Sequence, residues 1–314
     1  MREHLLDILM ENSVDAVILW VDGSDPVYAG SLARYVGDEQ TRREDCAAPT
    51  RFSNLGEIYR CVRSIRRFAP FIGRIFIVTD AQDPHIEGTT VIDHRVIYRG
   101  LEQYLPIFSS RSIETLIWRI PDLSERFIYF NDDFILRRPC RMDEFFLPDG
   151  RLVCRADYRS IAAVRLLSHL RTRYGYNDTL AAAATALGIR NRFLYIGHQP
   201  HPQLRSLLCS FYEEQHPELM LSNCSCRFRS RGQFNPAELG LLLARESGRC
   251  VVVPRRGSEL YYKPRGGRNY TKHKLAEFEK HSSALSICVN SLDRACEEDR
   301  TALLDWLDRM LDNE

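Results

Sequence analysis

Apolar residues in the first half of the chain form short continuous runs that alternate with stretches of helical periodicity. Strands are predicted at residues 16–21, 74–80 and 127–130, with weaker candidates at 91–93 and 95–98. Helices are predicted at residues 58–68 and 110–120, where apolar residues recur on one helical face. This alternation predicts an α/β fold with a mainly parallel sheet.

The second half of the chain has a different pattern. Helices are predicted at residues 161–174, 178–187, 204–215 and 299–311, with little strand signal before residues 251–253. We therefore predict an α/β core at residues 1–150 and a mostly helical part at residues 151–314, which completes the site from the other side.

Acidic residues follow two of the predicted strands. Asn131, Asp132 and Asp133 come after the strand at 127–130, where ligands bind in parallel sheets. Carboxylates at such a strand end can hold Mg²⁺ or Mn²⁺, whereas the alternative is a polar turn that caps a helix. Because Asp132 and Asp133 would point to opposite sides of an extended chain, one direct metal ligand and one supporting residue are expected.

The stretch WVDGSDP follows the first predicted strand. Gly23 would let the backbone approach a ligand closely, and Asp22 and Asp25 offer acceptor oxygens for a ribose or a metal. On the local sequence alone, an Asx turn that ends the strand is favoured over this donor-binding interpretation.

Two further segments carry residues suited to phosphate chemistry. His198 and His201 lie in the Pro-rich stretch GHQPHP, and imidazoles there suit proton transfer or phosphate contact; chance surface histidines are the alternative. Arg227, Arg229 and Arg231 alternate, so an extended segment would present them on one face as a diphosphate clamp. An exposed basic edge strand explains the same pattern.

Arg51 and Glu57, around the first helix, have the same ambiguity between a functional and a surface role. The basic loop at residues 255–274 could attract a phosphorylated acceptor or a membrane surface, although a solvated loop is the favoured interpretation. Nucleic-acid binding ranks low, because only three tyrosines in that loop offer stacking surfaces.

Composition narrows the class of protein. The 314 residues include 44% hydrophobic and 27% charged side chains, and the net charge of +1 favours neither nucleic acid nor membrane as a partner. Acidic residues interrupt the first 20 positions, and no apolar run is long enough for a membrane span. With its ten scattered cysteines interpreted as reduced thiols, the chain is predicted to be cytoplasmic.

These pieces, in this order, resemble the Stealth proteins. DAVILWVDGSDP at residues 15–26 is similar to the first conserved region of that family. Residues 51–84, 105–114 and 120–136 resemble the second region, GHQPHP and RFRSRGQF resemble the third, and SICVNSLD at residues 286–293 resembles the fourth. The family includes bacterial capsule polymerases that transfer sugar-1-phosphates and the animal GlcNAc-1-phosphotransferase.

The resemblance implies a GT-A-like nucleotide-sugar transferase core that uses Mg²⁺ or Mn²⁺. It implies transfer of a hexose-1-phosphate, such as GlcNAc-1-phosphate, from a UDP-sugar to a glycan or glycolipid hydroxyl, with release of UMP. The expected process is assembly of a bacterial surface polysaccharide, either capsule or exopolysaccharide, at the cytoplasmic side of the membrane. Peripheral membrane association, homo-oligomerisation and the identities of sugar and acceptor are left open.

The resemblance also assigns roles to residues. Asp133 with Asp132 and Asn131 corresponds to the family's N-D-D motif and is the expected metal site. The remaining assignments are Asp15 as an active-site acid, His201 with His198 as base or phosphate contact, Arg229 as a phosphate ligand, and Arg51 and Glu57 in the donor pocket. The local sequence adds Arg227, Asp22 and Gly23 as expected donor or phosphate contacts. The base is left open between Asp15 and His201.

The sequence departs from the family pattern at two places. Asn54-Leu55 stands where the family has Asp-Asn, and Asn290-Ser291 stands where an Asn-Asp pair is usual. Two rival hypotheses follow: a conventional metal-dependent glycosyltransferase that releases UDP, and a non-catalytic member that binds glycan or nucleotide sugar.

Overall fold

The computed structural model describes residues 13–36, 49–168, 175–265 and 269–312. The central sheet has the strand order β3-β2-β1-β4-β9. Its first four strands are parallel, and β9 joins β4 antiparallel at the edge. The strands in chain order are β1 Val14–Leu19, β2 Ile72–Thr79, β3 Thr90–Asp93, β4 Arg126–Asn131, β5 Phe134–Leu136, β6 Leu152–Arg155, β7 Asp157–Ser160, β8 Arg192–Tyr195, β9 His201–Leu204, β10 Cys250–Val253, β11 Glu259–Tyr262 and β12 Ser286–Val289.

Helices cover the sheet and build the second half of the chain. They are α1 Pro26–Tyr35, α2 Glu57–Phe68, α3 His94–Ile97, α4 Ser110–Glu114, α5 Ile161–Ser168, α6 Tyr176–Ala186, α7 Arg205–Cys209, α8 Pro217–Cys224, α9 Pro236–Glu246, α10 Tyr270–Lys280 and α11 Glu297–Asp312. A π-helical turn, Ser210–Gln215, continues α7. Within the described ranges, no helix is both long and apolar enough to cross a membrane.

Strand β1 lies at the centre of the core because both of its faces are covered. All six of its residues are buried, and Val17 lies between Phe76 of β2 and Tyr129 of β4. Continuous apolar runs are typical of such doubly covered parallel strands. The predicted α/β fold with a mainly parallel sheet is confirmed.

Helix α2 packs one apolar face against the core. Ile58, Cys61, Val62 and Ile65 are buried, as the spacing predicts, while its solvent side carries arginines. Arg60 on that side donates to Asp308 of α11 at 2.5 Å and ties the C-terminal helix to the core. This helix begins at Glu57, so its first turn holds a predicted site residue.

Three predictions about local structure were wrong. Residues 95–98 form part of α3 rather than a strand, and the predicted helix at 110–120 is a short α4 followed by a 3₁₀ turn. Strands β6 to β9 precede residue 251, although little strand signal was found there. These strands have four residues each, too short to show a clear alternation. The predicted helix at 161–174 ends as α5 at Ser168, and residues 169–174 lie outside the described residues.

The second half of the chain also contributes to the central sheet. Strand β9 is its edge strand, and β12 pairs antiparallel with β5 and parallel with β11. The loops that follow β8, β11 and β12 thereby reach the same side of the molecule as the loops that follow β1 and β4.

Candidate active site

A cavity of about 550 Å³ opens at the carboxyl ends of β1, β2 and β4. Both acid-bearing loops begin at this edge of the sheet, as the sequence predicts. Side chains from both halves of the chain line the cavity. Its charged and polar lining includes Arg51, Glu57, His94, Asn131, Asp132, Asp133, His198, Arg229, Lys263, Asn290, Ser291, Asp293 and Arg294.

Three carboxyl groups share the floor of the cavity. Burial raises the pKa of Asp132 well above its usual range, and the charges of Asp133 and Glu57 raise it further. Burial also raises the pKa of Asp133, to about 7, against a hydrogen bond from Cys288 that lowers it. Like charges in a desolvated site oppose one another's ionisation. A cation bound between them would remove that opposition.

The position of Asp133 is fixed by the neighbouring strand β12. Its carbonyl oxygen accepts from the backbone N–H of Val289 at 3.0 Å, and its Oδ2 lies 3.4 Å from the Cys288 thiol. Its Oδ1 is buried and has no hydrogen-bond partner in the part of the chain that the structure describes. A buried carboxylate oxygen without a donor is costly, so this atom has the chemistry expected of a metal ligand.

The donor set fits a cation that is completed by its substrate. No three His, Cys, Asp or Glu side chains form a ready-made metal cage anywhere in residues 13–36, 49–168, 175–265 and 269–312. Mg²⁺ is commonly held by one or two carboxylates, with waters and substrate phosphates as the other ligands. Asp132 and Asp133 fit that arrangement.

Glu57 enters the cavity because of the turn before α2. Gly56 has φ +86°, in the left-handed region that favours glycine, and Glu57 Oε2 accepts from the backbone N–H of Leu55 at 2.7 Å. Burial raises the pKa of Glu57, while the backbone N–H groups of Glu57 and Leu55 act to lower it. The helix start thus holds this carboxyl group beside the two aspartates.

Cationic side chains line the same cavity as these acids. Arg229 donates to Ser110 Oγ at 2.7 Å, which holds its guanidinium at the cavity wall. Arg51, Lys263 and Arg294 also line the cavity. The site therefore combines a cluster of carboxyl groups with several cationic side chains. This arrangement is suited to binding a cation and a diphosphate together.

His198 is the histidine of GHQPHP that faces the cavity. Its ring lies between Tyr176 and Tyr261, with centroid distances of 4.7 and 5.1 Å and near-parallel planes. Its backbone N–H donates to Glu259 Oε2 at 2.6 Å. Burial lowers the pKa of His198 to about 4, and the charge of Lys263 lowers it further, so the imidazole is neutral at pH 7.

The structure does not bring His201 into the cavity lining. It lies in β9 opposite Tyr129 of β4, is 5% exposed and packs edge-on against Phe134. Burial lowers its pKa to about 3, with a smaller effect from His198. His201 begins β9, one of the strands that the sequence did not predict, and Pro202 is tolerated there because β9 is an edge strand.

Asp15 also lies away from the cavity, at the amino end of β1. Arg74 Nε and Nη2 donate to its two carboxylate oxygens at 3.1 and 2.8 Å, and the backbone N–H of Ser124 donates at 2.8 Å. A strand rises about 3.3 Å per residue, so Asp15 is more than about 10 Å from the carboxyl end of β1. Asp15 forms a buried ion pair with Arg74 here, and its role as an active-site acid stays a prediction.

Asp22 and Gly23 build the loop beside the cavity, and neither is among the residues that line it. Asp22 Oδ1 accepts from the backbone N–H of Ser24 at 2.8 Å, which is the Asx turn that the local sequence favours. A Cβ on Gly23 would lie 2.5 Å from Phe52, so only glycine fits there. Their donor-binding role stays a prediction without a direct cavity contact.

The predicted clamp of alternating arginines does not form. The segment around Arg227 is not a strand, and Arg227 lies over the ring of Tyr35 while its Nε donates to Pro106 O at 3.0 Å. Of the alternating arginines, Arg229 alone is among the residues that line the cavity. Arg227 therefore braces the loop that carries Arg229.

One end of the cavity is aromatic, which the sequence did not reveal. Trp20, Tyr28 and Phe108 line it together with His94. Among the described residues, buried Trp20 Nε1 has no hydrogen-bond partner, and buried His94 Nδ1 has none either, although it lies 3.8 Å from Asp80 Oδ1. Burial lowers the pKa of His94 to about 4, so its ring is neutral at pH 7. The position of Trp20 directly after β1 was the only available sequence signal.

Residues 51–153 match the family model described as Stealth protein CR2, conserved region 2. The capsular polysaccharide phosphotransferase cps1A of Actinobacillus pleuropneumoniae is 33% identical over 196 residues, which cover 59% of this chain and 50% of that protein. The receptor polysaccharide phosphotransferase WefC of Streptococcus oralis is 36% identical over 144 residues, 44% of this chain and 43% of that protein.

The exopolysaccharide phosphotransferase SCO2592 of Streptomyces coelicolor is 37% identical over 219 residues, covering 65% of this chain and 22% of that protein. The chain thus spans about half the length of these relatives, or less. Among solved structures, apo mouse xyloside xylosyltransferase 1 matches 88% of this chain and 98% of that chain, with 12% identity and a TM-score of 0.43. That score is too low to carry an argument.

Proposed function

This chain belongs to the Stealth family, and from that premise we propose that it transfers a sugar-1-phosphate from a UDP-sugar to a glycan hydroxyl. The similarity to proteins named as capsular and exopolysaccharide phosphotransferases supports a role in assembly of a bacterial surface polysaccharide. We further propose a hexose-1-phosphate such as GlcNAc-1-phosphate as the transferred group, with the reaction at the cytoplasmic side of the membrane.

In the proposed reaction, the acceptor hydroxyl oxygen attacks the phosphorus that carries the sugar. A new P–O bond forms, the bond between that phosphorus and the UMP oxygen breaks, and the acceptor proton passes to a base. The products are a sugar–phosphate–acceptor diester and UMP. The alternative, attack at the anomeric carbon, would instead release UDP.

The observation that carries this proposal is the cavity floor. Asp132, Asp133 and Glu57 share it, and cationic side chains that include Arg229 and Lys263 line the same cavity. Phosphoryl transfer needs charge neutralisation on the phosphoryl oxygens more than covalent chemistry from the protein. Carboxyl groups that attract a cation and cationic side chains that attract phosphates, lining one cavity, meet that need.

We propose that Asp132 and Asp133 hold Mg²⁺ or Mn²⁺, with Asn290 beside them. The ion would neutralise developing charge on the diphosphate when it is bound. Arg229 and Lys263 would hold the phosphates, and Arg229 is already oriented by Ser110. The buried aromatic end around Trp20 and His94 would bind the uracil base, with a uracil carbonyl oxygen accepting from Trp20 Nε1–H, which has no partner among the described residues.

The same geometry supports His198 as the proton acceptor. Of the two histidines in GHQPHP, it is the one that lines the cavity, and its neutral ring has a free electron pair at pH 7. The negative charge of a bound diphosphate would offset the nearby cations that lower its pKa. Its base role would therefore be strongest in the substrate complex.

The test is to identify the nucleotide product. The protein is incubated with UDP-GlcNAc and other UDP-sugars, Mg²⁺ or Mn²⁺ and a panel of glycan acceptors, and the products are separated by chromatography and weighed by mass spectrometry. We expect UMP and an acceptor that gains a sugar phosphate. UDP release with a sugar-only gain would contradict the proposal and favour a conventional glycosyltransferase. Donor binding by calorimetry without turnover across the panel would favour a non-catalytic binder.

A further inference from the structure

The peptide group that joins Gly197 to His198 is held on both of its sides. Its carbonyl oxygen accepts from the Tyr176 hydroxyl at 2.7 Å, and its N–H donates to Glu259 Oε2 at 2.6 Å. The oxygen and the N–H of a trans peptide lie in one plane and point in opposite directions. The two contacts therefore fix the orientation of this plane, and with it the direction in which the His198 side chain leaves the backbone.

Strand β11 supplies both the carboxylate and a ring that covers His198. Successive side chains of a strand point to opposite faces, so Glu259 and Tyr261 share one face of β11. The ring of Tyr261 stacks on His198, which has Tyr176 as its second stacking partner. Because tyrosine rings cover the faces of the imidazole, its edge, which carries the nitrogen atoms, is the part that can meet a substrate.

Gly197 is the residue that admits the Glu259 carboxylate to this turn. Its φ is +70°, in the left-handed region that favours glycine. A Cβ at this position would overlap both oxygens of the Glu259 carboxylate. The turn before His198 and the start of β11 are thus fitted to each other, although 61 positions separate His198 from Glu259.

The charge of Glu259 is balanced by an arginine. Its side chain is 9% exposed and pairs with Arg255, which also pairs with Asp157 at 3.1 Å. Burial raises the pKa of Glu259, whereas the charge of Arg255 and the N–H of His198 act to lower it. Glu259 is not among the described residues that line the cavity. It lies behind the cavity wall, where it can orient His198 without touching a substrate.

We propose that Glu259 is a positioning residue that holds the edge of the His198 imidazole toward the cavity. This inference rests on the proposed function, in which His198 takes the proton of the acceptor hydroxyl. Glu259 acts through the backbone N–H of His198 and takes no proton itself. The alternative is that Glu259 only neutralises Arg255 and stabilises the fold, in which case the ring of His198 would keep its position without the carboxylate.

The first test observes the position of the ring directly, in the full chain without donor or metal. Glu259→Leu removes the acceptor of the His198 N–H, whereas Glu259→Gln keeps a carbonyl oxygen that can accept from it. The chain is labelled with ¹³C-histidine, and the NMR signal of His198 is identified by its loss in His198→Gln. Ring currents of two stacked tyrosines shift the protons of His198 upfield. We expect Glu259→Leu to move this signal downfield, toward that of exposed His85, and Glu259→Gln to leave it in place.

The second test separates kcat from KM in the assay of UMP release. Glu259→Leu should lower kcat by about thirtyfold, because a small displacement of a catalytic group has a large effect on rate. KM for the donor should change by less than about twofold, since Glu259 does not contact the donor. Glu259→Gln should keep kcat within about threefold of the unmodified chain, because the N–H contact is retained.

Glu246→Leu is the matched control, because Glu246 also pairs with an arginine, Arg245 at 2.6 Å, at the end of α9. It should change neither the His198 signal nor kcat, and circular dichroism melting checks that each variant is folded. Gly197→Ala is a second way to displace the carboxylate, and it should move the His198 signal in the same direction.

An unmoved His198 signal in folded Glu259→Leu, or in folded Gly197→Ala, would overturn the proposal. A displacement that glutamine fails to reverse would also overturn it, because the N–H contact would then not be the cause. If the unmodified chain released no UMP, the proposed function would fail. The NMR result would still decide whether Glu259 positions the ring, so the two failures are distinguishable.

Discussion

The two ends of the central sheet treat buried aspartates in opposite ways. At the amino end, Asp15 accepts three hydrogen bonds, two from Arg74 and one from Ser124, and its charge is fully compensated. At the carboxyl end, Asp133 keeps one buried oxygen without a hydrogen-bond partner among the described residues, and it shares its site with Asp132 and Glu57. The two ends therefore contain the same residue type under different electrostatic conditions.

The difference separates an acid whose charge the fold compensates from acids that we propose bind a cation. A compensated buried carboxylate contributes to the free energy of folding, whereas clustered carboxylates with raised pKa values destabilise the fold unless a ligand binds. The two histidines of GHQPHP divide in the same way, since His201 is enclosed in the sheet and His198 faces the cavity. Substitutions at both aspartates and both histidines can therefore test whether compensated and uncompensated groups differ in their roles.

The largest expected effect is on turnover, from Asp133→Asn. The amide keeps the shape of the side chain but removes a charged cation ligand, so UMP release should fall by about a thousandfold. The urea midpoint should stay the same or rise, because one of three opposed carboxyl groups is lost. Asp149→Asn, an exposed carboxylate in a turn, is the control and should keep full turnover. Full activity in the Asp133 variant would remove the basis of the functional assignment.

The next effect is on stability, from Asp15→Ala. Removal of this carboxylate leaves the Ser124 N–H and the Arg74 guanidinium without their partner, so the free energy of unfolding should fall by about 3 kcal/mol. Urea denaturation at pH 7 measures this. Because Arg74 is 42% exposed and can be solvated, the loss should stay below that of a fully buried pair. If turnover per folded molecule fell a hundredfold instead, Asp15 would regain its expected catalytic role.

His198→Gln should reduce kcat by about a hundredfold. Glutamine can donate a hydrogen bond to phosphate but cannot take a proton at neutral pH, so the loss reports the base function. The measurement is UMP release at saturating donor and acceptor. KM for the donor should change little if the ring acts on the acceptor proton. A large rise in KM with unchanged kcat would show that the imidazole binds substrate only.

Much of this arrangement followed from local sequence, and the rest depended on contacts between distant residues. Helix α2 and the acids after β1 and β4 were predictable, because apolar periodicity and strand ends are encoded within a dozen residues. The role of Asp15 depends on Arg74, 59 residues away, through the register of β1 and β2. The aromatic end of the cavity likewise joins Trp20 and Phe108, which no local pattern connects.

The same reason explains why the strand that contains His201 was not predicted. A four-residue edge strand that contains Pro202 has no alternation to detect, and its pairing with β4 bridges more than 70 positions. The prediction from the alternating arginines failed for the opposite reason. Their period of two was clear, but Arg227 donates to a backbone carbonyl and lies over an aromatic ring, and the segment is not a strand. Periodicity predicts an element only where no stronger local contact competes.

The stability of the chain at acidic pH should depend on the buried His201. Burial lowers the pKa of His201 from 6.5 to about 3, with a smaller effect from His198, so between those pH values the unfolded chain binds a proton that the folded chain does not. The enclosed His201 therefore costs no free energy of unfolding above pH 6.5, and it lowers the free energy of unfolding as the pH falls below that value. His201→Gln should be less stable than the unmodified chain at pH 7. That deficit should shrink by about 2 kcal/mol between pH 6.5 and 5, in urea titrations. A constant deficit would show that His201 is not enclosed.

The smallest expected effect concerns Ser291, which lines the cavity where an acid is usual in the family pattern. Ser291 has φ +58°, and aspartate tolerates this left-handed conformation better than most residues. Ser291→Asp should add a third oxygen ligand and tighten Mn²⁺ binding by about tenfold, measured by calorimetry without donor. Ser282→Asp, exposed before the other end of β12, makes the same charge change and should leave the affinity unaltered. Equal affinities in all three proteins would mean that position 291 supplies no ligand, and no Mn²⁺ binding to any of them would mean that the carboxyl-end acids do not form a cation site. The contrast between the two ends of the sheet would then reflect stability alone.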